Sequence, residues 1–352
     1  MTAPRLEINL ERIQHNAETL VRRLGARGIA VTGVTKANLG SPEIAQALVR
    51  GGVAGLGDSR IENIEALRDA GLTEPMTLIR SPMLSQCDRV VASADLSLNT
   101  ELGVVAALSV AASAQARTHG VVLMVELGDL REGILPADLQ DVAREVLRLP
   151  GVALRGIGTN LACQSGAAPD AQKMAQLSEL AASIETALGV NLDVISGGNS
   201  ANLEWAFASE EVGRINDLRL GESILLGCET LHRHPIEGLH PDAITLVAEV
   251  IEAKVKPTKP WGAMHQAAFG DLEPSVDRGV TGRVLVAIGE QDTDPSGLEP
   301  PLGYTILGAS SDHLVLDAGS SLPPIGTELR FTLNYSALLR AMTSPFVARA
   351  WL

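Results

Sequence analysis

Residues 29–52 read "IAVTGVTKANLGSPEIAQALVRGG": an apolar, β-branched run, then a polar turn, then an amphipathic stretch. The first part suits the interior of a sheet. Ser41 stands where a helix cap belongs, and Pro42 takes the first helical position, where its missing N–H costs nothing. Together they make one βα unit. Seven more β-type runs follow: "GVAGLGDS" (52–59), "PMTLIRS" (75–81), "ADLSLNT" (94–100), "GVVLMVEL" (120–127), "LRGIGTNLA" (154–162), "LDVISGG" (192–198) and "LRLGESILLG" (218–227). Between them lie helical patterns such as "IENIEALRDAG" and "LQDVAREVLRL". Eight repeats predict an α/β fold, a (β/α)8 barrel of the TIM type, with a doubly wound sheet as the alternative.

After about residue 240 the texture changes to β-branched runs broken by Gly, Pro and Asp: "AITLVAEVIEAKV", "GVTGRVLVAIG", "YTILGASSDHLVLDAG" and "TELRFTLNY". This reads as a separate, mostly β domain. The opening "RLEINL" has no βα partner and is expected to join that domain as an extra strand. The expected division is an N-terminal strand in 1–12, a barrel over 13–236 and a β domain over 237–352.

A chain of 352 residues, 45% of them hydrophobic, buries a sizeable core. Its formal charge of -14 repels nucleic-acid phosphates and anionic lipids, so the expected partner is a small molecule. Cys87, Cys163 and Cys228 are scattered and odd in number, which argues against a disulfide framework and for a cytoplasmic setting. No segment approaches the roughly 20 apolar residues of a membrane span, and the first residues lack an apolar signal core.

Lys36 ends the first apolar run. A lysine there must find a partner, lose its proton or be chemically consumed. In a barrel the carboxyl ends of the strands line the active face, and a phosphate site often follows the seventh and eighth strands. The loop "SGGNSANL" (196–203) sits there, with backbone N–H groups and the Ser200 hydroxyl available to an anion, and Arg219 and Gly221 stand on the eighth run. Singly, these residues read as a turn and a salt-bridge lysine. Jointly, a strand-end lysine and a phosphate cradle at one mouth suit pyridoxal phosphate.

With these residues in view, the chain resembles the fold-type III pyridoxal-phosphate enzymes of the alanine racemase group, most of all the ornithine racemase branch. "VTKAN" resembles the cofactor-lysine motif, which implies Lys36 as the Schiff-base residue. "SGGNS" resembles the phosphate loop, implying Ser200 and Asn199. "LRLGESILLG" resembles the stretch whose arginine faces the pyridine nitrogen, implying Arg219, with the Gly221 and Glu222 amides near the phosphate. "NYSALLRAMTSPFV" resembles the terminal motif whose tyrosine reaches the phosphate, implying Tyr335. Arg131 in "ELGDLREGI" resembles the arginine near the phenolic oxygen and the substrate carboxylate. The resemblance also implies a head-to-tail homodimer in which the β domain completes the partner's active site. The expected activity is racemisation of a free amino acid, with ornithine or another basic one as the candidate substrate. Other Cα chemistry on the same scaffold (decarboxylation, aldol cleavage, a secondary-metabolite step) and non-catalytic cofactor binding are the alternatives.

The departures matter as much. Leu39 and Gly40 stand where alanine racemases carry a tyrosine, and Asn160 in "GTNLAC" where they stack a histidine on the ring. Phe269 in "HQAAFGD" replaces their second base. For that role Asp312 and His313 in "SSDH" are the leading candidates, against a plain polar turn; His265, Asp271 and Tyr304 are the reserves. "LHRHPIEGLH" reads as a linker rather than a metal site. Cys163 reads as a packing residue, because no basic residue adjoins it in sequence.

Overall fold

The computed structural model describes residues 2–263, 265–266 and 276–352. The chain divides into two compact units, Leu10–Pro241 and Met1–Asn9 with Asp242–Leu352.

Strand β1 (Arg5–Ile8) precedes helix α1 (Leu10–Gly25). Eight parallel strands then close a barrel: β2 (Ala30–Val34), β3 (Gly55–Asp58), β4 (Met76–Leu78), β5 (Leu96–Asn99), β6 (His119–Val125), β7 (Val152–Thr159), β8 (Val194–Gly198) and β9 (Asp217–Leu220). Helices α2 (Pro42–Arg50), α3 (Ile61–Asp69), α4 (Cys87–Ser93), α5 (Leu102–Ala114), α6 (Leu139–Val146), α7 (Ala171–Leu188), α8 (Leu203–Ala208) and α9 (Glu222–Leu226) follow the strands in turn. β9 pairs back onto β2, with Arg219 opposite Thr32.

Local chemistry explains the elements. Ser41 Oγ accepts from the Ile44 N–H and Pro42 opens α2. Helix α1 buries Ile13, Ala17, Leu20 and Leu24, the stripe expected of a 3.6-residue period, and each such leucine contributes about 2 kcal/mol. Strand β6 is buried at every position, as a parallel strand under helices must be. Gly156 lets β7 and β8 approach, since a Cβ there would lie 1.8 Å from the Val194 carbonyl oxygen. The eighth run departs from its reading: only its first residues are strand, and after Gly221 the apolar "SILL" coils into α9. Periodicity does not separate a short buried helix from a strand.

The barrel unit extends to Pro241 because Asn16, fully buried on α1, accepts from the His240 N–H at 2.7 Å and donates to the His240 carbonyl at 2.9 Å.

In the other unit β10 (Ile244–Pro257), β11 (Val280–Val286), β12 (Leu298–Glu299), β13 (Thr305–Ala309), β14 (Leu314–Asp317) and β15 (Glu328–Leu333) form a sheet ordered β12-β15-β10-β11-β14-β13. Helix α10 (Tyr335–Thr343) and strand β16 (Ala348–Trp351) complete it. Strand β1 pairs antiparallel with β10 and parallel with β16. "YTILGASSDHLVLDAG" is a hairpin, β13 and β14, closed by the Ser310 N–H donating to the His313 carbonyl at 2.8 Å. Among the described residues no helix is long and apolar enough to cross a membrane.

Candidate active site

Six of the barrel's strands deliver a candidate residue to, or just past, their carboxyl ends. At the end of β2, Thr35 is fully buried, donates its N–H to the Gly57 carbonyl and its hydroxyl to Asp58 Oδ2 at 2.7 Å. That fixes Lys36, which begins a tight turn through Asn38. The turn then needs Gly40: its φ is +60°, and a Cβ would stand 2.7 Å from that of Asn63. A tyrosine does not fit at Gly40, and Leu39 already carries a left-handed φ of 55°.

Burial pushes the Lys36 ammonium down from the usual lysine range, and the cations Arg131 and Arg219 push it further; Cys163 and Asp58 oppose them. A lysine desolvated beside other cations is a good source of neutral amine. Asp58 is itself pushed up by burial, against hydrogen bonds from Thr35 and the Arg60 N–H.

After β8, the Asn199 side chain accepts from the Ala201 N–H at 2.8 Å, and Asn202 reaches back to the Asn199 N–H at 3.1 Å, so the two asparagines cap the turn reciprocally. Ser200 Oγ lies 3.0 Å from Ser223 Oγ and accepts from the Ser223 N–H at 3.3 Å. The Ser200 turn and the start of α9 at Gly221 and Glu222 are thereby stapled side by side. The Glu222 carboxylate pairs with Arg233.

Arg219 is 5% exposed. It donates to Ser196 Oγ, to the Thr159 carbonyl at 2.8 Å and to Asn160 Oδ1 at 3.5 Å. Asn160 Oδ1 also accepts from Asn199 Nδ2 at 3.0 Å. Asn160 Nδ2 is buried with no hydrogen-bond partner. Arg131 lies past β6, paired with Glu132 and kept charged by it.

Three features escaped the sequence. Asp129, 2% exposed, accepts the N–H groups of Cys163, Gln164 and Ser165 at 3.3, 3.0 and 3.1 Å, hanging the loop after β7 on the loop after β6. Ser196 and Asp217 join Arg219 inside the barrel. Cys163 is exposed rather than packed, and Asn199 Nδ2 donates to its sulfur at 3.5 Å. Lys36, Arg131 and Arg219, from three other loops and strands, all sense it. The basic neighbours absent in sequence are supplied by barrel closure.

In the other unit, Asp312 and His313 occupy the β13–β14 turn, where His313 Nδ1 lies 2.8 Å from Asp312 Oδ1 and holds that carboxyl below its usual range. Tyr335 opens α10 behind the cap Asn334, Tyr304 precedes β13, and His265 is exposed. Asp271 and Phe269 lie outside the described residues. In the "LHRHPIEGLH" loop, Glu229 accepts the N–H groups of Leu231, His232 and His234, which shapes it as a turn.

The donor set fits pyridoxal phosphate. Three cations, two stapled helical turns and the orphaned Asn160 amide match an anion bearing a phosphate and a phenolate. A parallel barrel with this mouth has the arrangement of the fold-type III pyridoxal-phosphate enzymes. The chain belongs to the alanine racemase family: residues 8–228 match the family described as alanine racemase, N-terminal domain. That family is pyridoxal-phosphate dependent. The chain is 37% identical to a lysine racemase of Thermotoga maritima, over 100% of this chain and 99% of the relative. It is 36% identical to an ornithine racemase of Acetoanaerobium sticklandii, over 98% and 99%. The solved alanine racemase of Streptomyces lavendulae shares the fold, with a TM-score of 0.79 at 22% identity, covering 100% of this chain and 98% of that one.

Proposed function

We propose that the protein racemises a free basic amino acid of the lysine and ornithine class, with pyridoxal phosphate held covalently by Lys36. The observation that carries this is a desolvated Lys36 within the field of Arg131 and Arg219, in a chain alike over its full length to racemases of two basic amino acids. The cofactor, when bound, supplies the electron-withdrawing ring that lets a Cα proton leave. Arg219 would face the ring nitrogen, and since a guanidinium keeps its proton, that nitrogen stays unprotonated. Ser200, Asn199 and the Gly221 and Glu222 amides would hold the phosphate, with Tyr335 assigned there by its motif. Asn160 would lie against the ring, and Arg131 would bind the substrate carboxylate. Lys36 would move a proton at one face of Cα. Asp312 or His313 of a partner subunit is assigned the other face, in a head-to-tail homodimer. Free thiols at Cys87, Cys163 and Cys228 support a cytoplasmic enzyme.

The test is incubation of the holoenzyme with single enantiomers of ornithine, lysine and alanine in heavy water. Racemisation with deuterium at Cα, fastest on the basic substrates, is expected. Absence of both exchange and racemisation across the panel would sink the proposal. The sequence departure at Phe269 favours a second reading, another Cα reaction on the same cofactor; a product of altered mass would select it.

A further inference from the structure

We propose that Ser196 and Asp217 are positioning residues for Arg219, forming a hydroxyl–carboxylate relay inside the barrel that sets the guanidinium against the cofactor ring. The inference rests on the reading of Arg219 as the group at the ring nitrogen, and adds what holds it there.

The relay follows from strand geometry. Asp217 and Arg219 are two apart on β9 and so share its inward face. Ser196 stands opposite Asp217 on β8, and Thr32 opposite Arg219 on β2. Thr32 Oγ1 donates to Asp217 Oδ1 at 2.7 Å, Ser196 Oγ donates to Asp217 Oδ2, and Arg219 Nη1 donates to Ser196 Oγ. A serine hydroxyl has one proton. Given to Asp217, it leaves only lone pairs toward Arg219, so the chain has a single direction and each bond polarises the next. Arg219 Nη2 is fixed separately by the Thr159 carbonyl at 2.8 Å. Two anchored nitrogens set the plane of the guanidinium.

Asp217, Ser196 and Arg219 all border one cavity of about 320 Å³ toward the amino ends of the strands, shared with Ala30, Gly55, Pro75 and Asn216. That is room for water around the carboxylate. Arg219 is buried nonetheless, and Asp217 is the leading charge that offsets that burial. A neutral hydroxyl stands between the charges. The guanidinium is therefore oriented and compensated at a distance, and its charge is not cancelled by direct contact with a carboxylate.

The test compares Ser196→Ala, Ser196→Thr and Asp217→Asn with the wild type, each stripped and reconstituted with pyridoxal phosphate. Cofactor affinity, the absorbance spectrum of the bound cofactor against pH, and the melting temperature of the stripped protein are read. Ser196→Ala and Asp217→Asn should weaken cofactor binding roughly tenfold or more and shift the spectrum, because the buried cation loses its setting. Ser196→Thr, which keeps the hydroxyl, should stay near wild type. Wild-type affinity and spectrum in both disruptive variants, whatever their melting temperatures, would make the relay merely structural and overturn the proposal. If Asp217→Asn fails to fold, the Ala and Thr pair at Ser196 decides. A wild type that takes up no pyridoxal phosphate would bring down the cofactor reading, and the relay's role with it.

Discussion

The chain buries arginine in both units and treats it in opposite ways. In the β unit, Arg5 on β1 donates to both oxygens of Glu328 at 2.6 and 2.7 Å and to Glu7 at 2.7 and 3.0 Å, and Arg330 closes the network on Glu7. Carboxylate contact, Glu328 first, pushes the Arg5 guanidinium up. In the barrel, burial pushes Arg219 down, and its contacts are hydroxyl, carbonyl and amide oxygens. Arg5 is a finished structural pair, whereas Arg219 reaches its carboxylate only through Ser196 and, with Lys36 and Arg131 nearby, keeps a positive field at the mouth. The same side chain serves stability where a carboxylate touches it and binding where one is held back.

The strongest way to break this contrast is at Lys36. Lys36→Ala should lower turnover by roughly 10⁴-fold or more, about 5.5 kcal/mol in barrier, while the fold is kept. Borohydride treatment, which should fix the cofactor to the wild type, should then leave no label; label retained at another lysine would refute the assignment. In the β unit the corresponding change is Arg5→Ala. It removes one of the two arginines on Glu7 and leaves Arg330 in place, and should cost about 1.5–3 kcal/mol in denaturant unfolding. The sign of its pH dependence is fixed: Arg330, then Arg5, hold the Glu7 carboxyl below its usual range against the effect of burial. Its contribution is therefore present above the unfolded carboxylate pKa and lost as pH falls through the lower, folded one. Arg5→Ala should make that acid limb shallower and leave the part set by Arg330, and an unchanged limb would show that Arg5 does not help to set Glu7.

The two regions also differ in how far they can be read from sequence. The barrel was legible because each βα unit repeats a local pattern, and strand ends such as Thr35-Lys36 are marked by that pattern. Ser41 and Pro42 announce α2 directly. What joins one strand to another was not legible. Thr32 and Asp217 are 185 residues apart, and they meet only because β9 closes onto β2. Asp129 looks like a turn residue until the loop after β7 is hung on it. Cys163 looked isolated from basic residues because its cationic neighbours arrive from β2, β6 and β9. Helix α9 was hidden in the eighth run for a different reason: full burial erases the periodicity that separates helix from strand.

Arg131 sharpens the comparison at intermediate size. It is half-exposed, so its charge is screened more than that of Arg219, and its proposed contact is with the substrate. Arg131→Ala should raise KM roughly tenfold to a hundredfold with a smaller fall in kcat, and Arg131→Lys should recover part of the loss. A fall in kcat alone would move the residue from substrate binding to the chemistry.

The smallest effect tests the field itself. The whole chain carries a formal charge of -14 and should repel small anions, yet the mouth gathers three cations around the exposed Cys163. Alkylation by iodoacetate, an anion, and by neutral iodoacetamide separates the two scales. At low salt the iodoacetate-to-iodoacetamide rate ratio at Cys163 should exceed that of a free thiol by a factor of roughly two to five, and 1 M salt should erase the excess. Cys87 and Cys228 are controls on the same molecule, because burial pushes both thiols up and keeps them slow with either reagent. Pyridoxal phosphate should remove the excess by filling the field, and Arg131→Ala should lower it. A ratio below that of a free thiol would mean that the global charge reaches into the mouth, and the contrast between Arg219 and Arg5 would then be one of packing alone.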